Sequence, residues 1–370
     1  MSFILVINGQ FCGDSKLCKC AIPDRSFMNF LGVLLFPFTF LYDLITRLRN
    51  YLYDTGYKRS FEFQTNVISV GNLSVGGTGK SPMVEYIIRL LRNRKLVTLS
   101  RGYGRQSRGF RIATEEDTPK TIGDEPYLFY KKFDHVYVTV GEQRAVAIPF
   151  ILAELPDTEV IILDDAYQHR PVKPSLNILL TDYTKPFFED HILPTGRLRE
   201  SRKGAKRADI IVVTKCPENP DVHRYDLQIK KYNPTAHIAF SSIAYLPPQR
   251  ISGTRDFCQN VFLVTGIANP RSLKEHIEAN YRLIGEHYFK DHHDYTEKDV
   301  RLIKKEFEAK AKDVACVLTT EKDMVKLHPL LKKGEFSGLP VFYLPIETVF
   351  VNGGKRFDEM VLNSIRSYSD

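Results

Sequence analysis

The chain has 370 residues, enough for two or three domains, with 43% hydrophobic and 26% charged residues. This composition is that of a globular protein and excludes a collagen, a coiled coil or a largely disordered chain. The formal net charge of +8 leaves nucleic acid, an anionic membrane surface and a phosphorylated substrate open as partners. The six cysteines form neither a disulfide framework nor a zinc-site pattern, so we expect a reducing compartment.

The N-terminal region divides into two parts. Residues 1–27 are unlike the rest of the chain and are assigned as an extension, with either Met1 or Met28 as the start of the protein. The uncharged stretch Ser26 to Tyr42 would be about 25 Å long as a helix, shorter than the roughly 30 Å hydrocarbon core of a bilayer. Basic residues come directly after it. We therefore predict that the helical segment 28–60 lies in a membrane interface; a core helix packed on the main domain is the alternative.

From Phe61 onward, short β-branched runs alternate with helical patterns, which predicts a mostly parallel sheet with helices on both faces. We assign this α/β domain to residues 61–240. A smaller C-terminal α/β domain is assigned to 241–350, and a C-terminal helix that packs back on the first domain to 351–370. The stretches His237–Ala244 and Val341–Phe350 could run side by side as a hinge between the two domains. Strands are predicted at Thr65–Val70, Leu96–Leu99, Val136–Val140, Val160–Leu163, Ile178–Leu180, Ile210–Val213, Val261–Val264, Arg282–Gly285 and Val314–Leu318.

A glycine-rich segment comes after the first predicted strand and opens the first helix of the α/β domain, as a phosphate loop requires. Glycines let backbone N–H groups turn onto phosphate oxygens, and Lys80 adds a positive charge. Pro82 supports a helix start, because its missing N–H does no harm there. The usual pattern has Gly where this chain has Ser74. The predicted nucleotide-binding residues are Ser74, Val75, Gly76, Gly77, Thr78, Gly79, Lys80 and Ser81. The fold class is therefore α/β, similar to P-loop NTPases.

Two carboxylates end the predicted strand Val160–Leu163. A phosphate-loop enzyme needs an acidic group at the end of a neighbouring strand to hold Mg²⁺, and Asp164 and Asp165 supply one. Which of the two contacts the metal stays open, and capping of the next helix is the alternative role. Ser81 is the third predicted metal ligand.

Six further motifs accompany the phosphate loop in a fixed order. They are Ser-Arg-Gly-Tyr-Gly-Arg (100–105), Gly-Asp-Glu-Pro (123–126), Leu-Asp-Asp-Ala-Tyr-Gln-His-Arg (163–170), Leu-Pro-Thr-Gly-Arg-Leu-Arg-Glu (193–200), Asp-His-His (291–293) and Thr-Glu-Lys-Asp (320–323). With them, roughly residues 28 to 350 resemble the tetraacyldisaccharide 4′-kinase family of lipid A biosynthesis. Two departures from the family pattern are Ala-Tyr after the two aspartates and Ser201 after the Arg-Glu pair.

The resemblance implies a lipid kinase that uses ATP and Mg²⁺. Its expected substrate is a tetraacylated glucosamine disaccharide 1-phosphate, phosphorylated on the 4′-hydroxyl to give lipid IVA. Such an enzyme meets its substrate at the cytoplasmic face of the inner membrane, as a peripheral or monotopic protein. The smaller domain is expected to close over the active site. We expect no nucleic acid and no obligatory protein partner.

The resemblance also assigns residues to roles. The acid–base pair falls on Asp124 and His292, with His293 as the alternative histidine. A sugar hydroxyl has a pKa far above 7, so its attack on phosphorus benefits from a carboxylate that accepts the proton. The expected substrate-binding residues are Arg101, Tyr103, Arg105 and Arg197, because arginine can hold a phosphate by two parallel hydrogen bonds. Arg199 could act similarly, and Gln168 and His169 could support the metal end.

A different class of protein remains as an alternative. Membrane-associated switch ATPases of the partitioning type also combine a phosphate loop with an amphipathic segment. They carry a signature lysine before the glycine pair, where this chain has Val75. A nucleotide-binding scaffold without catalysis is the second alternative, and a product assay discriminates it from a kinase.

Overall fold

The computed structural model describes residues 25–311, 314–332 and 338–366, with side chains from residue 35 onward. The predicted extension over residues 1–27 lies outside these ranges apart from its last three residues, which belong to the first helix.

The described chain alternates between helices and strands along most of its length. The helices are α1 (Arg25–Asp54), α2 (Lys80–Leu90), α3 (Pro119–Ile122), α4 (Asp124–Lys132), α5 (Arg144–Glu154), α6 (Val222–Lys230), α7 (Arg271–Asn280), α8 (Glu297–Lys310), α9 (Glu321–Leu331) and α10 (Gly354–Asn363). The strands are β1 (Asn66–Asn72), β2 (Leu96–Ser100), β3 (Arg111–Ile112), β4 (Val136–Val140), β5 (Val160–Asp164), β6 (Leu176–Asp182), β7 (Ile210–Thr214), β8 (His237–Tyr245), β9 (Gln249–Ser252), β10 (Asn260–Thr265), β11 (Arg282–Tyr288), β12 (Ala315–Thr320), β13 (Val341–Leu344) and β14 (Ile346–Asn352).

Nine strands of the described chain form a large sheet in the order β14-β8-β7-β6-β1-β5-β2-β4-β3. The strands from β8 to β4 run parallel, and β14 and β3 are antiparallel at the two edges. At the centre, Ile68 of β1 lies opposite Ile162 of β5 and Leu176 of β6. Every residue of β1, β2, β5 and β7 is buried, as expected for parallel strands that are covered on both faces.

Helices cover both faces of the large sheet. Successive residues of a strand point to opposite faces, so neighbouring residues of β1 pack into two different cores. Ile68 packs with Phe129 of α4 and Phe357 of α10 in one core. The preceding strand residue, Val67, packs with Ile148 of α5 in the core on the opposite face. The predicted parallel α/β architecture is confirmed.

A second, smaller unit has its own sheet and its own cores. Its strand order is β11-β10-β12-β13-β9, parallel except for β9. One face carries α8 and α9, with Ile303 and Leu327 packed on Phe262, and the other carries α7 through Ile277. This is the smaller α/β fold expected for the C-terminal part.

Two strands connect the units. Strand β8 leads from the large sheet to the smaller unit, and β14 returns antiparallel to it, from Ile346 opposite Tyr245 to Asn352 opposite Phe240. Both strands belong to the large sheet, whereas the assigned boundary of the smaller domain fell within β8 and near the end of β14. After β14, α10 packs on the large sheet through buried Phe357.

The N-terminal helix α1 has 30 residues and contains Pro37. Within the described ranges, we find no helix that combines the length and the apolar character needed to cross a bilayer.

Candidate active site

The phosphate loop lies between the central strand β1 and helix α2. Gly76 has a φ of 106° and Gly79, which precedes the helix, has a φ of 77°, backbone conformations that glycine adopts without strain. The hydroxyl of Thr78 accepts a hydrogen bond from Asn72 Nδ2 at 2.7 Å, and its carbonyl oxygen accepts one from Thr214 Oγ1 at 3.0 Å. The loop is therefore tied to the carboxyl edge of the large sheet from two sides.

The segment between β6 and β7, which contains Arg197 and Arg199, forms backbone hydrogen bonds to the phosphate loop. Val75 N donates to Arg197 O at 2.8 Å, and Arg199 N donates to Leu73 O at 2.7 Å. The guanidinium of Arg197 itself binds Asp190, with Nε 2.8 Å from Oδ2. Arg197, predicted to bind substrate, thus supports the phosphate loop through its backbone and has its side chain paired in this structure.

Close packing brings the two predicted metal-binding aspartates to the loop. A Cβ added to Gly71 would lie only 2.7 Å from Cβ of Tyr167, so glycine at this position lets the segment after β5 pack directly against the backbone of β1. Lys80 Nζ is then 3.8 Å from Asp165 Oδ1. Asp165 also accepts from Arg199 Nη1 at both oxygens, at 3.0 and 3.1 Å.

Asp164 has a different environment from its neighbour. Its side chain is buried, Oδ2 accepts from Ser100 Oγ at 3.3 Å, and Oδ1 is buried with no hydrogen-bond partner among the described residues. Burial raises the pKa of Asp164, and the negative charges of Glu125 and Asp165 raise it further, against the opposing charges of Lys80 and Arg144. A buried carboxylate oxygen without a partner is suited to a cation.

The available ligand atoms suit Mg²⁺. This ion prefers oxygen ligands, and several of its ligands are usually water molecules or phosphate oxygens. Ser81, the second residue of α2, and Asp164 supply such oxygens. Among the described residues no group of three aspartate, glutamate, histidine or cysteine side chains could hold a metal by itself. A magnesium ion held by Ser81 and Asp164 would take its remaining ligands from water or from phosphate.

The predicted acid–base pair meets across the two units. Asp124 is the first residue of α4, and His292 comes after β11 in the smaller unit with a φ of 58°. His292 Nδ1 lies 3.1 Å from Asp124 Oδ2, and Lys326 Nζ of α9 lies 2.6 Å from the same oxygen. Burial acts to raise the pKa of Asp124, but the bonds from His292 and Lys326 outweigh it, so the pKa lies below its ordinary value.

The alternative histidine has other partners. His293 Nε2 is 3.2 Å from Asp299 Oδ2, and its ring stacks on Phe289 with centroids 4.5 Å apart. Because His292 alone of the two contacts Asp124 in the described structure, it is the better candidate for the acid–base pair.

The loop after β2 contains the remaining predicted substrate-binding residues. Arg101, Tyr103 and Arg105 line a pocket of about 450 Å³. Tyr103 is 78% exposed, and its ring centroid is 5.8 Å from that of His292. The side chain of Arg105 is 2% exposed and bonded at 2.5 Å to Glu142, whose side chain is 42% exposed, so in this structure Arg105 shapes the wall of the pocket through an ion pair.

Several charged residues at the site were not predicted. Lys322 and Lys326 come from α9, and Glu125 is next in sequence to the predicted base. Arg144 is buried, its Nη2 donates to Asp164 O at 3.1 Å, and burial lowers its pKa to about 10. Lys215, after β7, donates to Gly77 O and pairs with Asp182 at 2.8 Å. Arg144 and Lys215 each come after a parallel strand, a position that could have drawn attention to them.

The predicted supporting residues lie at the base of the loop. Gln168 Nε2 donates to Asn72 O at 2.8 Å and to Glu200 Oε1 at 3.0 Å. Burial lowers the pKa of His169 to about 4, with the charges of Arg144 and Arg49 acting in the same direction. The Gln168 side chain therefore links the end of β1 to the segment before β7.

A central parallel strand, a phosphate loop and an acidic strand end beside it define a P-loop nucleotide-binding protein with a second unit facing the site. The family model for tetraacyldisaccharide-1-P 4′-kinase (LpxK) matches residues 31–366, and the chain belongs to this family. The chain is 42% identical over 351 residues to the tetraacyldisaccharide 4′-kinase of Flavobacterium psychrophilum, covering 92% of this chain and 98% of that protein.

Other relatives agree. The tetraacyldisaccharide 4′-kinase of Bacteroides thetaiotaomicron is 39% identical over 359 residues, covering 90% of this chain and 93% of its own. A crystal structure of LpxK from Aquifex aeolicus in complex with ATP is 28% identical, with a TM-score of 0.71 over 91% of this chain and all of that one. The resemblance, the fold and the kinase class predicted from the motifs are confirmed.

Proposed function

We propose that this protein transfers the γ-phosphoryl group of ATP to the 4′-hydroxyl of tetraacyldisaccharide 1-phosphate and so forms lipid IVA in lipid A biosynthesis. The family and the activity for which its relatives are named support this reaction. The observation that carries the proposal is the meeting of Asp124 and His292 across two units, beside a phosphate loop.

The phosphate loop would bind the nucleotide. Backbone N–H groups of residues 74–79 and the N-terminus of α2 offer hydrogen bonds to phosphate oxygens. Lys80, whose side chain is 12% exposed, adds a positive charge that Asp165 keeps close to the loop. A relative crystallised in complex with ATP supports the same use of this loop.

Ser81 and Asp164 would hold the magnesium ion, whereas both carboxylate oxygens of Asp165 are already hydrogen-bonded to Arg199. When bound, Mg²⁺ would supply positive charge that offsets the negative charge developing on the phosphate oxygens during transfer. Oδ1 of Asp164 is the oxygen without a partner among the described residues, which favours it over Asp165 as the direct ligand.

Asp124 would act as the general base. Its Oδ2 accepts from His292 and Lys326, while Oδ1 makes no hydrogen bond within the described ranges and can accept the proton of a hydroxyl. A carboxylate already ionised at neutral pH can take this proton as the bond to phosphorus forms. Arg101, Tyr103, Arg105 and Arg197 remain the proposed surroundings of the acceptor.

We also propose that α1 holds the protein at the cytoplasmic face of the inner membrane. Its outward side carries Leu41, Leu44, Ile45 and Leu48, each between 53% and 56% exposed and spaced as one helical stripe. Its inward side bonds to the large unit, with Tyr42 Oη 3.0 Å from Arg199 O. An apolar stripe on an otherwise docked helix suits the interface of a bilayer.

A vesicle-binding assay tests this placement. The double variant Leu44→Glu/Leu48→Glu should fail to sediment with anionic phospholipid vesicles. Leu227→Glu is the matched control, because Leu227 of α6 is a similarly exposed leucine, at 52%. Equal sedimentation of both variants would contradict a membrane role for α1.

The reaction is tested by incubating the purified protein with γ-labelled ATP, Mg²⁺ and tetraacyldisaccharide 1-phosphate in detergent micelles. Label in the lipid supports the kinase. Label only in inorganic phosphate, independent of the lipid, would support a switch ATPase instead. An acceptor with its 4′-hydroxyl blocked is the control, and it should stay unlabelled.

A further inference from the structure

Helix α9 presents two lysines to the candidate acid–base pair. Lys322 and Lys326 are four residues apart and therefore lie on the same side of the helix. Asp323 fixes the start of α9: its Oδ2 accepts from Thr265 Oγ1 at 2.8 Å and from Gly266 N at 3.0 Å. The two lysines are thus held by the core of the smaller unit.

Lys326 makes the closest charged contact of Asp124. Its Nζ lies 2.6 Å from Asp124 Oδ2 and 3.1 Å from the carbonyl oxygen of His293. The Lys326 side chain is 10% exposed and that of Asp124 15% exposed, so water screens this pair less than a surface pair. The negative form of Asp124 is favoured by this contact.

Lys322 contacts the ring nitrogen of His292 that does not face Asp124. Its Nζ lies 3.1 Å from His292 Nε2. An ammonium group can only donate, so Nε2 accepts this bond and the ring proton lies on Nδ1, where it faces Asp124 Oδ2. The carboxylate of Asp291 is 3.8 Å from Lys322 Nζ and balances part of its charge.

We propose that Lys326 and Lys322 are positioning residues of the phosphoryl transfer, which keep Asp124 ionised and hold His292 with Nδ1 as the donor to Asp124 and Nε2 as the acceptor from Lys322. This inference rests on the proposed function. With two donors on Oδ2, the other oxygen of Asp124 stays directed to the acceptor hydroxyl.

The arrangement also makes the base dependent on contact between the two units. Asp124 comes from the large unit, whereas His292, Lys322 and Lys326 come from the smaller one. At the other end of α4, Lys132 Nζ lies 2.7 Å from both Glu85 of α2 and Glu321 of α9, which holds the helices together. The base is completed when this contact forms.

Within the part of the chain that the structure describes, the charged groups that contact Asp124 and His292 can be named one by one. Asp124 faces His292 and Lys326, and its own helix places Glu125 next in sequence. His292 faces Asp124, Asp291 and Lys322. Lys120 and Asp294 form a separate exposed pair across the same cleft at 3.2 Å, without contact to Asp124 or His292.

The test compares Lys326→Met with wild type over the pH range from 8 to 4.5. An adjacent opposite charge shifts a carboxylate pKa by about 1–3 units, so the ratio of variant to wild-type kcat should fall as the pH falls, by about threefold or more for a shift of about 2 units. Lys120→Met is the control that removes an equal charge across the cleft, and its ratio should stay constant. A constant ratio for Lys326→Met would overturn the role of Lys326.

Lys326→Arg is the control that separates the loss of the charge from a loss of folding in the methionine variant. It keeps the charge, so its ratio to wild type should stay flat with pH even where its absolute kcat is lower. ATP affinity, measured by calorimetry, should be unchanged in both variants. A pH-dependent ratio for the arginine variant would also count against the proposal.

Lys322 is tested by ¹⁵N NMR of histidine-labelled protein near neutral pH, with the His292 signal assigned by its loss in His292→Gln. Protonated Nδ1 and unprotonated Nε2 are expected in wild type, and Lys322→Met should reduce this preference. An imidazolium or an Nε2–H tautomer in wild type would overturn the inference. These readouts differ from the failure of the proposed function, which would be the absence of labelled lipid with wild type.

Discussion

Replacing the candidate base is the most informative perturbation of this site. Asp124→Asn keeps the shape of the side chain and an oxygen that can accept from His292 and Lys326, but it removes the carboxylate that would take the hydroxyl proton. The phosphate loop is untouched, since its described hydrogen bonds do not involve Asp124. We therefore expect lower turnover with ATP binding retained.

The size of the loss depends on two opposing effects. A positioned general base contributes about 10²- to 10⁴-fold, and a loose phosphoryl-transfer transition state needs less help with the proton. His292 is no ready substitute base, because its Nε2 is already bonded to Lys322. We expect kcat to fall by about 10³-fold, which corresponds to about 4 kcal/mol of activation free energy.

The assay measures kcat with saturating lipid acceptor and the Kd of ATP by calorimetry. Asp294→Asn is the matched control, since it removes an exposed carboxylate on the same cleft, 71% exposed and paired with Lys120. The control should keep kcat within about twofold. Turnover of Asp124→Asn within about threefold of wild type would refute the role of Asp124 as base.

Three further changes test the rest of the site. Lys80→Ala should weaken ATP binding about 10- to 100-fold, because it removes a charge-assisted hydrogen bond, and unchanged affinity in calorimetry would contradict the loop assignment. Asp164→Asn should raise the Mg²⁺ concentration for half-maximal activity more than Asp165→Asn does, and equal effects would contradict the choice of ligand. The depressed pKa of His169, about 4, makes the unfolded chain bind more protons below pH 6.5. The free energy of unfolding should therefore fall between pH 6.5 and 4, and His169→Asn should reduce that slope in urea titrations.

The fold could be predicted in large part because its signals are local. Buried parallel strands appear in the sequence as short apolar runs, and β2, β4, β5 and β7 coincide with predicted strands to within a residue or two. The pairing of β14 with β8 was also expected, from the stretches Val341–Phe350 and His237–Ala244. The stretch Val341–Phe350 contains two strands, however, and the first of them, β13, belongs to the small sheet, because partner choice depends on contacts distant in sequence.

The site was predictable where its residues belong to motifs of the family, and not where they lie outside those motifs or where their partners are set by the fold. Asp124 and His292 were expected as a pair from the family resemblance, and they lie 3.1 Å apart. Lys326 was not expected, because the packing of the smaller unit determines which side of α9 faces Asp124. Arg105 was expected to bind substrate, but its pairing with Glu142, 37 residues away, is visible only in three dimensions.

The contacts of α1 connect the proposed membrane surface to the reaction centre. Tyr42 donates to the carbonyl oxygen of Arg199, whose side chain binds Asp165 and whose N–H donates to Leu73 beside the phosphate loop. A second hydrogen bond between α1 and the segment before β7 joins Thr39 Oγ1 to Thr195 Oγ1 at 3.1 Å. A helix that lies in the bilayer interface would therefore hold the phosphate loop at a fixed height above the lipid. An acceptor whose acyl chains stay in the membrane would then present its sugar headgroup to the cleft, in keeping with the proposed transfer to the 4′-hydroxyl.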